Sequence, residues 1–392
     1  MIYLGFSNTV DYEIIWDIKH FLQFIKITGV KICDVKRVEK IESVKDLASS
    51  ILYHMKKGLG CGMTVEDPKI IEKYIAGSKY RVTLGGSNIR AAEIISALGG
   101  KAVVHLVSRN RDTEELMSER VSIMGGEQFR CCYPHIVIQY PKGMRIVVND
   151  IDFITPRENR VIYSADKACA EMPISESFIE AVKEQDVVLL SGFDMIRRDE
   201  ILKERVEQIK NVLCSKNNLS VYMEHAWFAH SWQEELLLNE LGKYVRFYGM
   251  NEEEFQQIIG RNIDILNVKE VADGLKDLKN KLPETTLVIH TEKWGIAYGK
   301  DAKMCKDALF SGMITATTRY CNGMVNATLC EKIALLKEDK QAIVFAEKIS
   351  ELLKNICCIP IKKVTVNTPT TIGLGDSFVG GFLNQYEKME GR

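Results

Sequence analysis

The chain has 392 residues, 46% of them hydrophobic and 27% charged, and its 52 basic and 53 acidic side chains leave a net charge of −1. These are ordinary globular values, so a disordered or fibrous chain is excluded, and at about 150 residues per domain the length predicts one large or two linked domains. The near-neutral charge argues against a general nucleic-acid binder, although a few local cations could still hold a small anion.

Short apolar segments alternate with longer amphipathic ones along most of the chain. The segments short enough for buried strands are residues 2–6, 102–107, 187–190, 219–223, 244–248 and 286–290. Apolar residues at helical spacing occupy residues 89–98, 195–213 and 268–282. This alternation predicts an α/β fold with a largely parallel sheet.

Two stretches interrupt the alternation. Residues 15–81 are charge-rich and less regular, and residues 132–164 contain alternating strands. Within the second stretch, His135–Tyr140, a Pro141-Lys142-Gly143 turn and Arg145–Val148 predict a β-hairpin. We therefore expect two domains with approximate boundaries. The large α/β domain would contain residues 1–14, 82–131 and 165–392, and a smaller β-containing lid would contain residues 15–81 and 132–164.

The cysteines and the N-terminus indicate a cellular compartment. The eleven cysteines have irregular spacings and include no C-x-x-C pair, which favours small thiols in a reducing cytosol over a zinc site. The adjacent pairs Cys131-Cys132 and Cys357-Cys358 are candidates for redox activity. No basic segment with a long apolar run opens the chain, and no apolar run approaches the roughly 20 residues of a membrane span. We expect a soluble cytoplasmic protein.

The sharpest local signal is the string Thr371-Ile372-Gly373-Leu374-Gly375-Asp376. A β-like segment precedes it, and an apolar helix rich in small residues follows. Unpaired N–H groups and the positive dipole at such a helix start would hold an anion, and glycines let the backbone approach a phosphate. Asp376 would then accept the proton of an attacking hydroxyl.

Three alternatives to this anion site fit the string to different degrees. A plain glycine turn with Asp376 as the helix N-cap accounts for the local pattern as well as a catalytic site does. A dinucleotide-binding Rossmann turn is disfavoured, because the string lies at the wrong end of the chain and lacks a third glycine and a later acidic ribose ligand. A Walker phosphate loop is excluded because no G-K-[ST] follows.

The string resembles the anion-hole and catalytic-base motif of the ribokinase-like superfamily. It is most similar to the motif of the ADP-dependent glucokinase and phosphofructokinase family. Further segments resemble that family in the expected order: residues 5–11, 85–88, 135–140, 156–160 and 249–254. Six short matches in the correct order are hard to obtain by chance.

The resemblance implies a ribokinase-like three-layer α/β/α large domain with a lid. It also implies Mg²⁺-dependent phosphoryl transfer from ADP to a hydroxyl of glucose or fructose 6-phosphate, with Asp376 as general base. Gly373, Leu374 and Gly375 would hold the transferred group, and Arg157 or Arg160 would offset its charge. The remaining residues to which the resemblance gives a role are Asn8, Asp11, Glu66, Gly85, Gly86 and Asn88 for the substrate, Asn251 and Thr371 for the nucleotide, and Glu224 and Glu254 for the metal.

The chain departs from the family pattern at three positions that bear on the sugar and the metal shell. Tyr222 stands where the family usually has His, and Ser87 and Asp194 stand where Gln is usual. A sugar phosphate would need cations in the lid, for which Lys56, Lys57 and Arg81 are candidates. His290, at the end of a strand, is interpreted as a structural side chain.

Two other functions stay open. One is an ATP-dependent small-alcohol or nucleoside kinase of the ribokinase-like fold, because the same anion hole would hold either transferred group. The other is a non-catalytic nucleotide- or sugar-binding regulator, which Tyr222 favours and the intact string at residues 373–376 opposes. The expected partners are a sugar or sugar phosphate and a nucleotide, without nucleic acid or membrane, and the expected state is a monomer or dimer.

Overall fold

Short apolar strands form the larger of two main sheets. A computed structural model describes residues 1–130, 134–184, 187–215, 219–228, 230–366 and 369–391. Within them, this sheet consists of β1 (Ile2–Gly5), β5 (Ala102–Leu106), β6 (Val121–Gly125), β11 (Val187–Leu190), β12 (Ser220–Glu224), β13 (Val245–Asn251), β14 (Thr286–His290), β15 (Trp294–Tyr298) and β16 (Ile356–Pro360). Their spatial order is β16-β15-β14-β13-β12-β11-β1-β5-β6.

Most of this sheet is parallel. Neighbouring strands from β6 across to β14 pair in parallel, and β15 and β16 extend the sheet as antiparallel strands. Strand β11 is buried at every position, as is typical of parallel strands covered on both faces. The predicted α/β fold with a largely parallel sheet is confirmed.

Helices cover both faces of this sheet. Val188 and Leu190 of β11 belong to one hydrophobic core, and Val187 and Leu189 belong to another. Successive strand side chains point to opposite faces, so the sheet is the middle of the expected three α/β/α layers. These helices are α4 (Ser87–Ala97), α5 (Arg111–Leu116), α6 (Lys167–Glu171), α7 (Glu176–Lys183), α8 (Asp199–Cys214), α9 (Ser231–Leu241), α10 (Glu252–Ile258), α11 (Val268–Lys281), α12 (Lys306–Asn322), α13 (Ala327–Ala334), α14 (Lys340–Leu352) and α15 (Leu374–Glu390). Among the helices of the described residues, none is long and apolar enough to cross a membrane.

A smaller sheet has its own helices and its own core. Its strands are β2 (Thr9–Ile14), β3 (Cys61–Thr64), β4 (Tyr80–Gly85), β7 (His135–Tyr140) and β10 (Asn159–Ser164), in the order β3-β10-β7-β2-β4. The helices are α1 (Ile18–Thr28), α2 (Val44–Lys57) and α3 (Pro68–Ile75). Their apolar faces pack with this sheet into a third core, which includes Phe21, Leu52 and Tyr163.

The hairpin predicted between residues 135–140 and 145–148 is wrong. Strand β7 pairs with β2 on one side and β10 on the other, so both of its edges are taken. Strand β8 (Arg145–Val148) instead pairs with β9 (Ile151–Ile154) through a two-residue turn. Asn149 has a φ of 53° there, the left-handed conformation that tight hairpin turns require and Asn tolerates.

Strand pairing also bears on the predicted domain boundaries. Residues 9–14 and 82–85, which the sequence-based division places in the large domain, pair in the smaller sheet. We therefore propose that the chain enters the lid near residue 9 and leaves it near residue 85, and the two-domain division itself remains a prediction.

The structure bears on the predicted redox activity of only one of the two adjacent cysteine pairs. Cys357 and Cys358 are free thiols on β16, and burial raises the pKa of both. A raised pKa lowers the fraction of reactive thiolate, which disfavours a redox role for this pair. Cys131 and Cys132 lie outside the described residues.

We expect acid to destabilise the fold through His105. This side chain is fully buried on β5, its Nε2 accepts a hydrogen bond from Ser175 N at 3.0 Å, and burial lowers its pKa to about 3. An unfolded histidine titrates near 6.5, so between these pH values the unfolded state binds a proton that the folded state excludes. Stability is therefore lost as the pH falls below about 6.5, and at pH 5 this group costs about 2 kcal/mol.

Urea unfolding at pH 7 and pH 5 tests this expectation. The matched variant is His105→Gln, whose side-chain oxygen can still accept from Ser175 N but does not titrate. The loss of unfolding free energy between the two pH values should be smaller in the variant by about 2 kcal/mol. An equal loss in both proteins would contradict the assignment to His105.

Candidate active site

A large cleft lies between the smaller sheet and the carboxyl edge of the larger one. Its volume is about 940 Å³. Asp11 and Arg160 line it from the smaller sheet, and Glu224 and His290 line it from strand ends of the larger sheet. Ligands of open α/β sheets bind at this edge. The string at residues 371–376 forms part of the wall.

The glycine-rich string forms the start of α15. Gly373 is the N-cap, with a φ of 71° that glycine adopts without strain. The N–H groups of Leu374, Gly375 and Asp376 open the helix and have no partner within it. Asp376 is therefore a first-turn residue, and the interpretation of Asp376 as N-cap is wrong. Its side chain is 21% exposed and faces the cleft.

Gln139 on β7 joins the smaller sheet to the segment that leads into α15. Its Nε2 donates to Pro369 O at 3.3 Å, and its Oε1 accepts from Thr371 N at 3.2 Å. The hydroxyls of Thr370 and Thr371 donate to the same Oε1, at 3.5 and 3.3 Å. One neutral side chain of the smaller sheet thus forms four hydrogen bonds with the segment that leads into α15.

Replacing Gln139 with Leu is expected to lower kcat by about 10-fold, because small misplacements of a reacting group cost up to about 100-fold. Gln139→Glu keeps the oxygen that accepts from Thr371 and should lose less. Steady-state kinetics with melting temperatures checks this. An unchanged kcat in the Leu variant would show that the contacts are dispensable.

Asp11 lines the cleft, but both of its carboxylate oxygens already contact protein atoms. Oδ1 accepts from Thr9 Oγ1 at 2.7 Å, and Oδ2 accepts from Arg90 Nη2 at 2.8 Å. Each oxygen keeps a lone pair for a ligand hydroxyl. A side chain at Gly85 would collide with this carboxylate, and Gly86, which lines the cleft, has a φ of 89°.

Two asparagines predicted to bind the substrate brace the backbone instead. Asn8 is fully buried, its Oδ1 accepts from Val107 N at 2.6 Å, and its Nδ2 donates to Ser108 O at 2.9 Å. Asn88 is also buried, and its Nδ2 donates to His105 O at 2.8 Å. Neither belongs to the described cleft lining, which disfavours a substrate contact, and the roles of Asn8 and Asn88 stay predictions.

The charged residues that were predicted to contact the substrate from the lid are also outside the described cleft lining. Glu66 is exposed beyond β3 and is absent from the described cleft lining, and the preceding residue, Val65, forms an isolated bridge with Ile41. This position disfavours a substrate contact by Glu66, which stays a prediction. Lys56, Lys57 and Arg81 are likewise outside this lining, and Arg81 pairs with Glu13. Arg197 does line the cleft, where its Nη2 donates to Thr64 Oγ1 at 2.9 Å.

Glu224 and Glu254 place two carboxylates near neighbouring strand ends. Burial, together with the charge of Glu254, raises the pKa of Glu224, and burial raises the pKa of Glu254 to about 8. In the described part of the chain, Glu224 Oε2 has no hydrogen-bond partner although it is buried. Two partly buried carboxylates with raised pKa values fit a divalent cation.

The Asn251–Glu254 pair also forms the N-terminal cap of α10. Asn251 Oδ1 accepts from Glu254 N at 3.0 Å, and Glu254 Oε2 accepts from Asn251 N at 2.8 Å. Both residues line the cleft. No group of three or more His, Cys, Asp or Glu among the described residues has metal-binding geometry. A cation at Glu224 and Glu254 would therefore keep much of its water, as Mg²⁺ usually does.

The two candidate arginines differ in their surroundings. Arg157 is 51% exposed, donates from Nε to Gly58 O at 2.6 Å and pairs with Glu253 at 3.0 Å. Burial lowers the pKa of Arg160, and the Asp376 carboxylate opposes this shift. Within the described residues the Arg160 guanidinium forms no hydrogen bond or ion pair. Arg160 is therefore the arginine available to a phosphate.

Comparison with known proteins decides the family. Residues 1–383 match the family model described as the ADP-specific phosphofructokinase/glucokinase conserved region. The chain belongs to this family. An ADP-dependent glucose/glucosamine kinase of Pyrococcus furiosus is 24% identical over 88% of this chain and 85% of its own length. The Pyrococcus abyssi enzyme of the same description is 22% identical over 86% and 83%.

Two solved structures have the same fold. A phosphofructokinase from Pyrococcus horikoshii OT3 with AMP has a TM-score of 0.74 at 18% identity, covering 100% of this chain and 98% of its own. An ADP-dependent kinase in complex with fructose 6-phosphate and ADPβS has a TM-score of 0.80 at 16% identity, covering 100% and 94%. The expected three-layer α/β/α fold is confirmed.

The positions that depart from the family pattern lie in or beside the cleft. Tyr222 is fully buried, and its hydroxyl and Glu224 Oε2 both lie against Gly249. The two groups affect each other, because the Tyr222 hydroxyl partly offsets the burial that raises the pKa of Glu224. Ser87 and Asp194 line the cleft, and burial raises the pKa of Asp194.

Several further cleft residues were not predicted from the sequence to take part in the site. Arg90 contacts Asp11 and lies 3.8 Å from Asp376. Burial alone would lower the pKa of His135, but Asp166 at 3.3 Å outweighs it and raises the pKa. His290 lines the cleft and stacks on Phe378 with ring centroids 4.5 Å apart, so its interpretation as purely structural is incomplete. The only sequence signal for Arg90 is its position just after the Gly85-Gly86 turn.

Proposed function

We propose that this chain transfers the terminal phosphoryl group of ADP to a hydroxyl of glucose or fructose 6-phosphate. The products are AMP and a sugar phosphate. One observation carries the proposal: Asp376 faces the cleft in the same helix turn as the unpaired N–H groups of Leu374 and Gly375. The family assignment and the relatives' described substrates support this donor and these acceptors.

In the proposed reaction, the acceptor oxygen forms a bond to the terminal phosphorus as the bond between that phosphorus and the AMP oxygen breaks. Asp376 takes the proton of the hydroxyl. The N–H groups at the start of α15 and Arg160 hold the phosphoryl oxygens, whose charge is spread in the transition state. Donors fixed in a cleft need little reorganisation during reaction, so they stabilise this charge more than water does.

Glu224 and Glu254 are the residues proposed to hold Mg²⁺. When bound, such an ion offsets the charge of the phosphate oxygens. Asn251 orients Glu254 through the cap of α10 and leaves its other carboxylate oxygen unused by this contact. Thr371 is proposed to lie beside the nucleotide, and Asp11 and Gly86 beside the acceptor.

The smaller sheet would exclude water from the reacting groups, so that hydrolysis does not compete with transfer. If the acceptor is a sugar phosphate, Arg197 is the proposed contact for its phosphate, since it is a cleft cation paired only with a hydroxyl in the described residues. The cytoplasmic location, the monomeric or dimeric state and the absence of nucleic-acid and membrane partners remain predictions.

A phosphoryl-transfer panel tests the proposal. ADP and ATP are each combined with glucose, fructose 6-phosphate and a nucleoside in the presence of Mg²⁺. We expect turnover with ADP and one of the two sugars. Turnover with ATP alone would replace the donor and favour the small-alcohol or nucleoside kinase. Nucleotide binding without turnover of any pair would favour the non-catalytic regulator.

A further inference from the structure

Arg90 lies between the proposed acceptor-binding residue and the proposed general base of the cleft. It is on the first turn of α4, and its side chain is 12% exposed. Its Nη2 donates to Asp11 Oδ2 at 2.8 Å, and its Nε lies 3.8 Å from Asp376 Oδ2. One guanidinium therefore joins the proposed acceptor residue on β2 to the proposed base on α15.

Of the three carboxylates near Arg90, only Glu13 pairs with a second cation in the described residues. Glu13, the third carboxylate near Arg90, also pairs with Arg81 and accepts from Thr83. Asp376, in contrast, has no other ion-pair or hydrogen-bond partner for its side chain in the described part of the chain. Asp376 therefore depends on Arg90 for its orientation.

The chemistry of the guanidinium suits this position. An arginine stays charged at any physiological pH, so it cannot donate its proton to the base that it contacts. Its several N–H groups can contact two carboxylates at once, which a lysine ammonium does less well. At 3.8 Å the contact is loose enough to leave Asp376 Oδ2 able to accept a proton from a bound hydroxyl.

We propose that Arg90 is a positioning residue that holds the Asp376 carboxylate in line with the acceptor bound at Asp11. This inference rests on the proposed function, in which Asp376 is the base. Arg90 acts through Asp376 and Asp11 and need not touch the acceptor. A change in Arg90 should therefore affect kcat far more than the KM for ADP.

The test compares Arg90→Ala with Arg81→Ala in steady-state kinetics with ADP and the preferred acceptor. Arg81 is the matched control, because it pairs with the same Glu13 but does not contact Asp11 or Asp376. We expect the kcat of Arg90→Ala to fall by about 100-fold, the cost of a displaced reacting group, with the KM for ADP changed less than about 3-fold. Arg81→Ala should stay within about 3-fold of the parent in both constants.

Chemical rescue separates positioning from a general structural role. Millimolar guanidinium can occupy the space left in Arg90→Ala and should raise the kcat of this variant by at least about 10-fold. It should not raise the kcat of Arg81→Ala or Asp376→Asn. If Arg90→Ala does not fold, Arg90→Lys serves instead, and we expect it to lose about 10-fold in kcat because one ammonium does not span both carboxylates.

Three results would overturn the inference. They are a parental kcat in Arg90→Ala or Arg90→Lys, a folded Arg90→Ala whose lost kcat guanidinium does not restore, and a loss that lies in the KM for ADP. The failure of the proposed function is distinguishable, because it would appear as parental activity in Asp376→Asn. An inactive Asp376→Asn beside a fully active Arg90→Ala would reject only the role of Arg90.

Discussion

Asp376→Asn is expected to lower kcat by about 10²–10⁴-fold, the usual contribution of a positioned general base. The amide keeps the size of the side chain but cannot take a proton from the acceptor hydroxyl. The N–H groups at the start of α15 are unchanged, so the dissociation constant for ADP should stay within about 3-fold of the parent. Steady-state kinetics gives the first value, and calorimetric titration with ADP gives the second.

Asp307→Asn is the matched control for this experiment. Asp307 is an exposed carboxylate in the first turn of α12, which, like α15, has 17 residues. It is absent from the described cleft lining, so its variant should retain the parental kcat. Equal activity of Asp376→Asn and Asp307→Asn would contradict the role of Asp376.

Replacement of Arg160 should have the second largest effect. Arg160→Met is expected to lower kcat/KM by about 10²–10³-fold, because a fixed donor to developing charge typically contributes this much. The guanidinium forms no hydrogen bond or ion pair in the described residues, so its removal breaks no such contact in the free protein. Methionine also keeps much of the apolar stem.

Arg157→Met provides the comparison for Arg160. Its half-exposed guanidinium is already paired with Glu253, and exposed pairs contribute little, so kcat/KM should fall less than about 5-fold. Initial rates at low concentrations of each substrate give both values. A larger loss in Arg157→Met than in Arg160→Met would contradict the assignment of the phosphate contact.

The alternation of apolar and amphipathic segments predicted the large sheet because parallel strands are buried on both faces. The run Val187–Leu190 is an example in which every position is buried. The partner of β7 could not be predicted in this way. Its neighbours β2 and β10 are separate segments of the chain, and local turn signals favoured Arg145–Val148 instead.

The candidate site, like the fold, could be predicted from the sequence only in part. The string at residues 371–376 has a local pattern that indicates a helix start, and the structure places it in the cleft wall. Arg90 and Gln139 have no local pattern, because their partners come from distant segments. Asn8 shows the limit of a local pattern: an asparagine after a strand suits a sugar hydroxyl, but it suits two backbone groups equally well.

The central claim is that this cleft transfers a phosphoryl group from ADP to a sugar. The most direct measurement is a single-turnover reaction with ADP and Mg²⁺, in which AMP and sugar phosphate are quantified with and without glucose or fructose 6-phosphate. We predict one sugar phosphate per AMP with one of these sugars and almost no AMP without it. AMP formation that does not depend on the sugar, or bound ADP that yields no AMP with either sugar, would contradict the claim.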